Sequence, residues 1–594
     1  MTRSIPRRAG VLVVLLTVLG LVVSGCATLP DSSSPQAIGT LERGPSTTEV
    51  AAPVPGREPD LLLRDFLQAS TDPTNRHRAA RQFLTGSMSQ RWDDAASTTI
   101  VDKVDVLVEQ RDGDSATYVV RANTVGHLEE GGVYRAADGP FEARFSLVRT
   151  DGEWRIDEMP PGVIMDRPRF LNSYRSRSLY FVDPSGTAIV PDPRWITGTP
   201  EQTAAQLIGL LVEGPKTVLA PAVQNLLEGL TVVGAVTKAD GRTTDVGVGL
   251  GGIRIDFQGI GTMSRQDREL LAAQVIWTLA NADISGPYQL LADGQPLDER
   301  FPNGWTTADV ASMNPLAASS VTVGLHALLD GGLVSVAENG VTPVRGFFGN
   351  ATDLQSVALS LDGELVAAVQ STGKPAPEPA AQLMIGTYTD GVAEPAVDGE
   401  FITRPSWAPN NNSVWAVVNG TAVVRAVREP GTGRVTVVGV EAGAVRGLGG
   451  RISELRLSRD GVRAALIVDG RVFVATVVPT TSGEYALTNP REIGFGLGGP
   501  ALALDWSTAD TIVVSRAASD VPVVQIAVDG SRIDALPSRN LTPPVVAVEA
   551  STASEFVADS RTVFQLNNRD PAGDRYWREV PGLAGLAAIP VLPG

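Results

Sequence analysis

The C-terminal half of the chain repeats itself, and this repeat constrains the fold more than any other feature of the sequence. The segment Ala358–Ala368, which reads ALSLDGELVAA, returns as LRLSRDGVRAA at Leu455–Ala465. Related segments at Ser406 and Asp505 complete a series whose members are 46 to 52 residues apart. Short alternating strands with a period of about 40–50 residues are typical of β-propeller blades. The sequence therefore predicts an all-β propeller over residues 309–594.

Asp-Gly pairs inside the repeat, as at Asp362-Gly363, predict tight hairpins between neighbouring strands. Glycine accepts a positive φ and aspartate can hydrogen-bond back to the turn, so the pair suits such hairpins. About 285 residues at roughly 48 per blade give about six blades. We expect the last segment, Tyr576–Gly594, to complete the first blade and close the ring. The repeat is similar to those of TolB-type and WD40-like propellers.

The N-terminus has the pattern of a bacterial lipoprotein signal. Three arginines occur among the first eight residues, an apolar run covers Ala9–Val23, and Gly25 and Cys26 follow. This order predicts a signal peptide at residues 1–25 rather than a spanning helix. We expect cleavage between Gly25 and Cys26 and a thioether-linked diacylglycerol on Cys26. The protein is then anchored in the cell membrane by lipid, on its extracytoplasmic side.

Composition excludes several classes of function. Removing residues 1–25 leaves 49 − 3 = 46 basic side chains against 66 acidic ones, a net charge of −20. Such a chain is repelled by phosphate backbones, so we expect no nucleic-acid partner. Cys26 is the only cysteine, which rules out an intramolecular disulfide. The three histidines, His77, His127 and His326, are far apart in sequence, and we expect neither a metal site nor a cofactor.

Residues 26–168 are predicted to form two regions, a stalk and a small folded domain. Residues 26–58 are rich in Ser, Thr, Pro and Gly and cannot bury enough apolar area to fold, so we expect a flexible stalk that begins at the lipidated cysteine. Over residues 59–168, two helices are followed by alternating strands that end at Trp154-Arg155-Ile156. This α+β pattern resembles small NTF2-like domains.

Residues 169–308 predict an α/β domain. Thr199 and Pro200 begin one helix as N-cap and first helical residue, and Ser264 caps a second. We expect strands at Asp245–Leu250 and Ile253–Phe257. The order of the segments LLVEGP, IRIDF, QVIWTLAN and ADGQ resembles the GerMN domain of bacterial envelope proteins. That family is a binding module without known catalytic residues, so the resemblance assigns no site residues.

Three motifs resemble those of enzymes, but their surroundings do not fit the chemistry. Gly247–Gly252 and Gly494–Gly499 match the dinucleotide pattern GxGxxG. That site needs a helix directly after the glycines, whereas a predicted strand follows the first match and the second lies between blades. Ser371–Lys374 matches SxxK, but Gly373 and Pro375 exclude the required helix. We therefore predict no catalytic residues and a protein that is not an enzyme.

The whole architecture resembles the LpqB lipoprotein family of actinobacteria. Lipidation signal, stalk, NTF2-like domain, GerMN-like domain and propeller follow one another in that order. The resemblance implies an accessory protein that binds the extracytoplasmic domain of the MtrB sensor kinase. Through that domain it would tune phosphorylation of the regulator MtrA, and so affect cell-wall homeostasis and division.

Two other functions remain open at the level of sequence. A propeller enzyme acting on cell-wall glycan or peptide would have paired carboxylates of raised pKa at the mouth of the central channel. A carrier of a small molecule or lipid would have a deep apolar pocket in the NTF2-like or GerMN-like domain. The three-dimensional arrangement distinguishes these cases.

Overall fold

The structure is a computed structural model that describes residues 52–314, 323–389, 391–481 and 483–594. The predicted signal peptide, the cleavage site at Gly25 and Cys26, and most of the predicted stalk lie outside the described residues. Among the described residues, no helix is long and apolar enough to cross a bilayer.

The first module packs helices against a five-stranded sheet. Its elements are α1 (Pro59–Ala69), α2 (Thr74–Arg81), α3 (Gly86–Arg91), β1 (Thr98–Arg111), β2 (Ser115–Glu129), β3 (Val133–Thr150), β4 (Glu153–Glu158), β5 (Val163–Asp166) and α4 (Arg167–Ser173). The sheet order is β4-β3-β2-β1-β5, in which only the β1–β5 pair is parallel. The sheet follows the helices as predicted, although three helices precede it instead of two.

Helical spacing of apolar residues explains how α1 packs. Leu62, Leu63, Phe66 and Leu67 form its buried face, and the ring of Phe66 lies 5.8 Å from that of Trp92. At the other end of the module, Phe170 of α4 belongs to the same core. The packing of this module therefore continues past residue 168.

The second module begins with a two-stranded hairpin and continues as a sheet with two helices. Its elements are β6 (Arg175–Val182), β7 (Ile189–Ile196), α5 (Pro200–Glu213), β8 (Thr231–Val232), β9 (Ile253–Gln258), α6 (Arg265–Ala280), β10 (Tyr288–Ala292) and β11 (Gln295–Pro296). The sheet order is β11-β10-β9-β8, and α5 and α6 contribute buried leucines to one core with it.

Sequence predicts the helix starts of this module correctly and one strand wrongly. Thr199 forms a capping box with Gln202, and the Ser264 hydroxyl accepts a hydrogen bond from the amide of Asp267. Residues 245–250, in contrast, do not form the predicted strand. Asp245, Gly247 and Gly249 have φ values of 52°, 77° and 65°, which an extended strand does not allow.

Six four-stranded sheets form the propeller in the described part of the chain. Blade 1 contains β12 (His326–Leu329), β13 (Gly332–Ala337), β14 (Gly340–Pro343) and β35 (Ile589–Val591); blade 2 contains β15 (Leu354–Leu359), β16 (Leu365–Ser371), β17 (Ala381–Thr387) and β18 (Ala393–Gly399); blade 3 contains β19 (Ser406–Trp407), β20 (Ser413–Val418), β21 (Ala422–Arg428) and β22 (Val435–Gly439). Blade 4 contains β23 (Ile452–Leu457), β24 (Arg463–Val468), β25 (Arg471–Pro479) and β26 (Tyr485–Glu492); blade 5 contains β27 (Ala501–Thr508), β28 (Thr511–Arg516), β29 (Val523–Ala527) and β30 (Ile533–Ala535); blade 6 contains β31 (Ala547–Ala550), β32 (Ser554–Ala558), β33 (Val563–Asn567) and β34 (Arg578–Glu579). Two short helices, α7 (Phe347–Asn350) and α8 (Gly443–Arg446), connect strands.

The ring closes through the C-terminal segment, as predicted. Strand β35 pairs antiparallel with β12, so that Val591 lies opposite His326. The closing strand is only three residues long, and the preceding Arg578–Glu579 instead forms the outer strand of blade 6. First and last blades are thereby joined without an open inner edge.

The β6–β7 hairpin connects the three modules, and all eight residues of β7 are buried. On the side of the first module, the ring of Trp195 lies 4.6 Å from that of Phe170. Nη1 of Arg194 donates a hydrogen bond of 3.0 Å to the carbonyl of Gly131. A Cβ on Gly132, which has a φ of +74°, would lie 2.5 Å from the Trp195 carbonyl oxygen. Backbone and ring packing thus hold the hairpin closely against the first module.

The same hairpin is fixed to the propeller by buried polar contacts. Nε1 of Trp195 donates a 3.0 Å hydrogen bond to Oδ2 of Asp529 in blade 5. Nη2 of Arg463, in blade 4, donates a 2.5 Å hydrogen bond to the Pro191 carbonyl. Buried polar groups lose much free energy when their partners are removed. The hairpin therefore restrains the first module and the propeller at once.

A buried ion triad stabilises β7 from within the second module. Oδ2 of Asp192 lies 2.8 Å from Nη2 of Arg194, and Oδ1 lies 3.2 Å from Nζ of Lys216. Burial alone would raise the pKa of Asp192, but Lys216 and Arg194 outweigh it and hold this pKa below its ordinary value. Asp192 is therefore charged at neutral pH and neutralises a cation on each side.

Candidate functional site at the mouth of the propeller

Charged side chains from four blades converge where the innermost strands of the propeller meet. They are Arg404, Glu454, Arg456, Asp505 and Glu549. Nη2 of Arg404 lies 2.8 Å from Oε1 of Glu454, and its Nη1 contacts Glu549. Nε of Arg456 lies 3.0 Å from Oδ1 of Asp505. Together they form an ion-pair network on the propeller axis.

The two most buried carboxyl groups in this network have pKa values that are shifted in opposite directions. Burial raises the pKa of Glu549 to about 7 although Arg404 opposes the shift, and repulsion from Asp505 adds to it. Burial would also raise the pKa of Asp505, but Arg456 and Arg404 outweigh it and hold this pKa below its ordinary value. Opposite shifts of two neighbouring carboxyls are a feature that acid–base catalysts share.

The carboxyl groups of this network are largely closed off from solvent. The side chains of Glu549 and Asp505 are only 2% and 8% exposed. The cavity that borders Asp505 and Arg456 has a volume of only about 30 Å³, which is room for about one or two water molecules. Beside Asp505 and Arg456 there is therefore no space for a glycan or a peptide in this structure.

Two larger cavities lie near this network, and both are lined by Thr187 and Ala188 of the turn that joins β6 to β7. One has a volume of about 330 Å³ and lies between Thr187–Ile189 and the propeller, with Ser312–Asn314 and Val323 also in its wall. The other, of about 390 Å³, lies between the same turn and blades 3 and 4, where Trp415 and Tyr485 line it. Both volumes are in the range of small-molecule sites. Both cavities lie between the second module and the propeller, whereas the sequence-based carrier hypothesis placed its pocket inside the first or second module.

Arg459 lines both cavities, and its guanidinium group lacks a carboxylate partner among the described residues. Its Nη2 donates a 2.9 Å hydrogen bond to the carbonyl of Ala550, and its buried Nε has no hydrogen-bond partner among the described residues. Burial lowers the pKa of Arg459, against the pull of Asp505. Arg459 is thus a desolvated cation at the mouth of the channel.

The histidines are as scattered in space as in sequence. His77 packs against Trp92 in the first module, and His127 lies in β2 near Thr99. His326 lies in blade 1, where its Nε2 is 2.6 Å from the Tyr388 hydroxyl. Within the described ranges, His, Cys, Asp and Glu side chains form no group of three that fits a metal ion.

Sequence reasoning missed the ion-pair network, although the repeat carries a signal for it. Counting two residues back from the repeat serines Ser406, Ser458, Ser507 and Ser551 gives Arg404, Arg456, Asp505 and Glu549. These four positions have the same place in successive blades and all face the axis. In blade 5 the serine of the repeat is therefore Ser507, and Asp505 is the residue two positions before it.

Three family models cover most of the chain. Residues 52–171 match the model described as Lipoprotein LpqB, N-terminal domain. Residues 178–298 match the Germane model, described as sporulation and spore germination, and residues 331–593 match the Lipoprotein LpqB beta-propeller domain. The β-propeller domain of Cps50 (Swd1) from Myceliophteria thermophila aligns with 38% of the chain and 74% of its own length, with 9% identity and a TM-score of 0.25.

Curated relatives named Lipoprotein LpqB match the chain over almost its whole length. The protein from Rhodococcus jostii is 69% identical, with 98% of this chain and 97% of the relative covered. Those from Nocardia farcinica and Mycobacterium tuberculosis are 50% and 44% identical, each with 98% of this chain and 98% or 99% of the relative covered. Fold and relatives define a membrane-anchored lipoprotein of the cell envelope with a C-terminal propeller. The chain belongs to the LpqB lipoprotein family.

Proposed function

We propose that this protein is a non-enzymatic accessory protein on the extracytoplasmic side of the membrane, anchored by lipid on Cys26. Its partner is the extracytoplasmic domain of an MtrB-type sensor kinase, whose output it modulates. Membership of the LpqB family supports the envelope location. The observation that carries a binding role is the hairpin β6–β7, buried among three modules.

A fixed arrangement of modules suits a binding protein. Modules in one chain move relative to each other by default unless their interface is large and well packed. Here Trp195 and Arg463 connect the hairpin to the propeller, and Arg194 connects it to the first module. Surfaces on different modules are therefore held at fixed distances and can contact one partner together.

The second module offers an apolar contact surface. Leu250 is 90% exposed, and Val248 and Val233 are 38% and 47% exposed. Val248 and Leu250 lie close together in one segment, and the amide of Ala239 donates a hydrogen bond to the carbonyl of Gly251 next to Leu250. Val233 lies further along the same ribbon, where its amide donates to the carbonyl of Asp256. Apolar side chains that stay in solvent on a folded surface are typical of protein contact sites. We assign the kinase contact to this surface, which we call the Leu250 surface.

The burial of the axis carboxylates supports the non-enzymatic part of the proposal. Burial raises the pKa of Glu549, but its side chain is only 2% exposed and is paired with Arg404. A purified preparation that hydrolyses cell-wall material, and loses this activity in Glu549→Gln, would instead make the protein a propeller enzyme.

The test in cells is chemical crosslinking, followed by purification of this protein and mass spectrometry. The wild type should crosslink to the sensor kinase, and Leu250→Asp should lose most of that product. Val392→Asp is the matched control, since Val392 is also exposed, at 69%, but lies on the propeller. Failure to recover the kinase with the wild type, or equal loss in both variants, would contradict the proposal.

A further inference from the structure

We propose that the cavity between the β6–β7 turn and the propeller is a binding site for a small oxyanion, a carboxylate or phosphate group on a small molecule, anchored by Arg459. This site is independent of the Leu250 surface and goes beyond the proposed kinase contact. It is built from two modules, so that neither alone forms it.

The cavity has the size and lining of a small polar ligand site. Its volume of about 330 Å³ is at the lower end of the range for such sites. Thr187 and Ala188 form one wall, and Thr508 and Thr552 lie on the propeller wall. The hydroxyls of Thr187 and Thr508 are hydrogen-bonded to Ser185 and Asp510. That of Thr552 makes no hydrogen bond to a described residue, so it can donate one to a ligand.

Arg459 differs from the two arginines of the axis network because it forms no ion pair with a described residue. Arg404 is paired with two glutamates and Arg456 with Asp505, so the axis carboxylates are already occupied. Asp460, the neighbour of Arg459 in the cavity wall, lies 3.7 Å from Arg463 instead. A buried charge is costly unless it is paired and hydrogen-bonded. Arg459 is therefore the group that a bound anion would complete.

The geometry of the guanidinium group leaves a donor for that anion. Nη2 of Arg459 is used by the Ala550 carbonyl at 2.9 Å. Nη1 makes no hydrogen bond to a described residue. Unlike Nε, Nη1 is not fully buried. Nη1 is therefore the donor that solvent or a ligand can reach. Guanidinium groups bind carboxylate and phosphate oxygens through charge-assisted hydrogen bonds.

The experiment uses the full chain in detergent micelles, titrated by calorimetry with inorganic phosphate and, separately, with citrate. Sodium chloride of matched ionic strength is the blank. We expect saturable binding at one site, and the two probes distinguish a phosphate from a carboxylate preference. Arg459→Ala should weaken binding about tenfold or more, which corresponds to the loss of one charge-assisted hydrogen bond. Arg459→Lys should weaken it less.

Two further variants keep the test decisive if Arg459→Ala fails to fold. Ala188→Phe fills the cavity from the hairpin side without removing a charge, and it should also abolish binding. Arg425→Ala is the control, because Arg425 is a cation that lies over the Tyr485 ring, 4.6 Å from its centroid, outside this cavity. Wild type that binds neither probe saturably, or folded Arg459→Ala and Ala188→Phe variants that bind as tightly as wild type, would overturn the proposal.

Discussion

Replacement of Asp192 by asparagine should destabilise the protein strongly, because this carboxylate neutralises two buried cations. The side chains of Arg194 and Lys216 are 5% and 7% exposed, and Asp192 is the acid that each contacts. Asparagine keeps an oxygen that can accept from the amide of Lys216, as Oδ2 of Asp192 does at 2.9 Å. The substitution therefore removes charge and leaves shape and backbone hydrogen bonding almost intact.

The expected magnitude follows from the burial. Removing one partner of a buried ion pair costs about 3–5 kcal/mol, since the remaining charge is left uncompensated. Both cations lose their partner here, while Arg194 keeps the carbonyls of Gly131 and Gly214. The ammonium group of Lys216 has no other hydrogen-bond acceptor among the described residues, and burial lowers its pKa against the pull of Asp192. We expect a loss of about 3–5 kcal/mol, mostly through Lys216.

Equilibrium urea unfolding at pH 7, followed by tryptophan fluorescence, measures this loss, and Trp195 on the same strand reports on the hairpin. The pH is chosen from the pKa of Asp192, which is lower in the folded than in the unfolded protein. Its stabilisation is complete above the unfolded pKa and disappears as the pH falls through the folded one. The difference between wild type and variant should therefore shrink in acid.

The chain contains a matched control. Asp240 and Arg242 are also two residues apart in sequence, and Nε of Arg242 lies 2.7 Å from Oδ2 of Asp240, but their side chains are 53% and 62% exposed. Asp240→Asn should change stability far less than Asp192→Asn, because an ion pair in solvent contributes little. The double variant Asp192→Asn, Lys216→Met should recover part of the loss, because it removes the unpaired ammonium group. A loss from Asp192→Asn as small as that from Asp240→Asn would refute the reasoning.

Three other outcomes are expected. Val591→Asp places a charge in the buried closing strand and should cause aggregation or a large fall in melting temperature. Leu586→Asp, at a position that is 37% exposed, should change little. Equal behaviour of the two variants would contradict closure by β35. The pKa of Glu549 is raised from 4.5 to about 7, so between these pH values the folded protein holds a proton that the unfolded chain loses. The free energy of unfolding should therefore decline as the pH rises from 4.5 to about 7. Glu549→Gln should flatten that decline in urea titrations. Cys26→Ala should move the protein from the detergent to the aqueous phase of Triton X-114, or block its maturation; unchanged partitioning would disprove lipidation.

Local patterns in the sequence were sufficient for the elements that depend on local rules. Helix starts at Thr199 and Ser264 follow from capping chemistry, which acts within four residues. The propeller and its closing segment follow from a repeat, in which each blade supplies evidence for the next. The glycine-rich segment before β9 misled the strand prediction, because its positive φ values are not encoded in apolar alternation.

The features that form the candidate site depend on contacts between distant parts of the chain. Strand β7 reads IVPDPRWI, whose prolines and charges do not look like a buried strand. It is buried on both faces only because three modules surround it. Likewise, Thr187, Arg459 and Thr552 line one cavity although they are 93 to 365 residues apart in sequence. The charge of Arg459 could be read from the sequence, but its lack of a partner could not.

Direct binding to the kinase tests the central proposal most sharply. The full chain in detergent micelles is titrated with the purified extracytoplasmic domain of the MtrB-type kinase. We expect a Kd of about 1–10 µM or tighter, with weak dependence on salt because apolar side chains form the contact. Leu250→Asp should weaken the affinity about tenfold, and Val392→Asp should leave it unchanged. No binding at concentrations on the order of 100 µM would contradict the account.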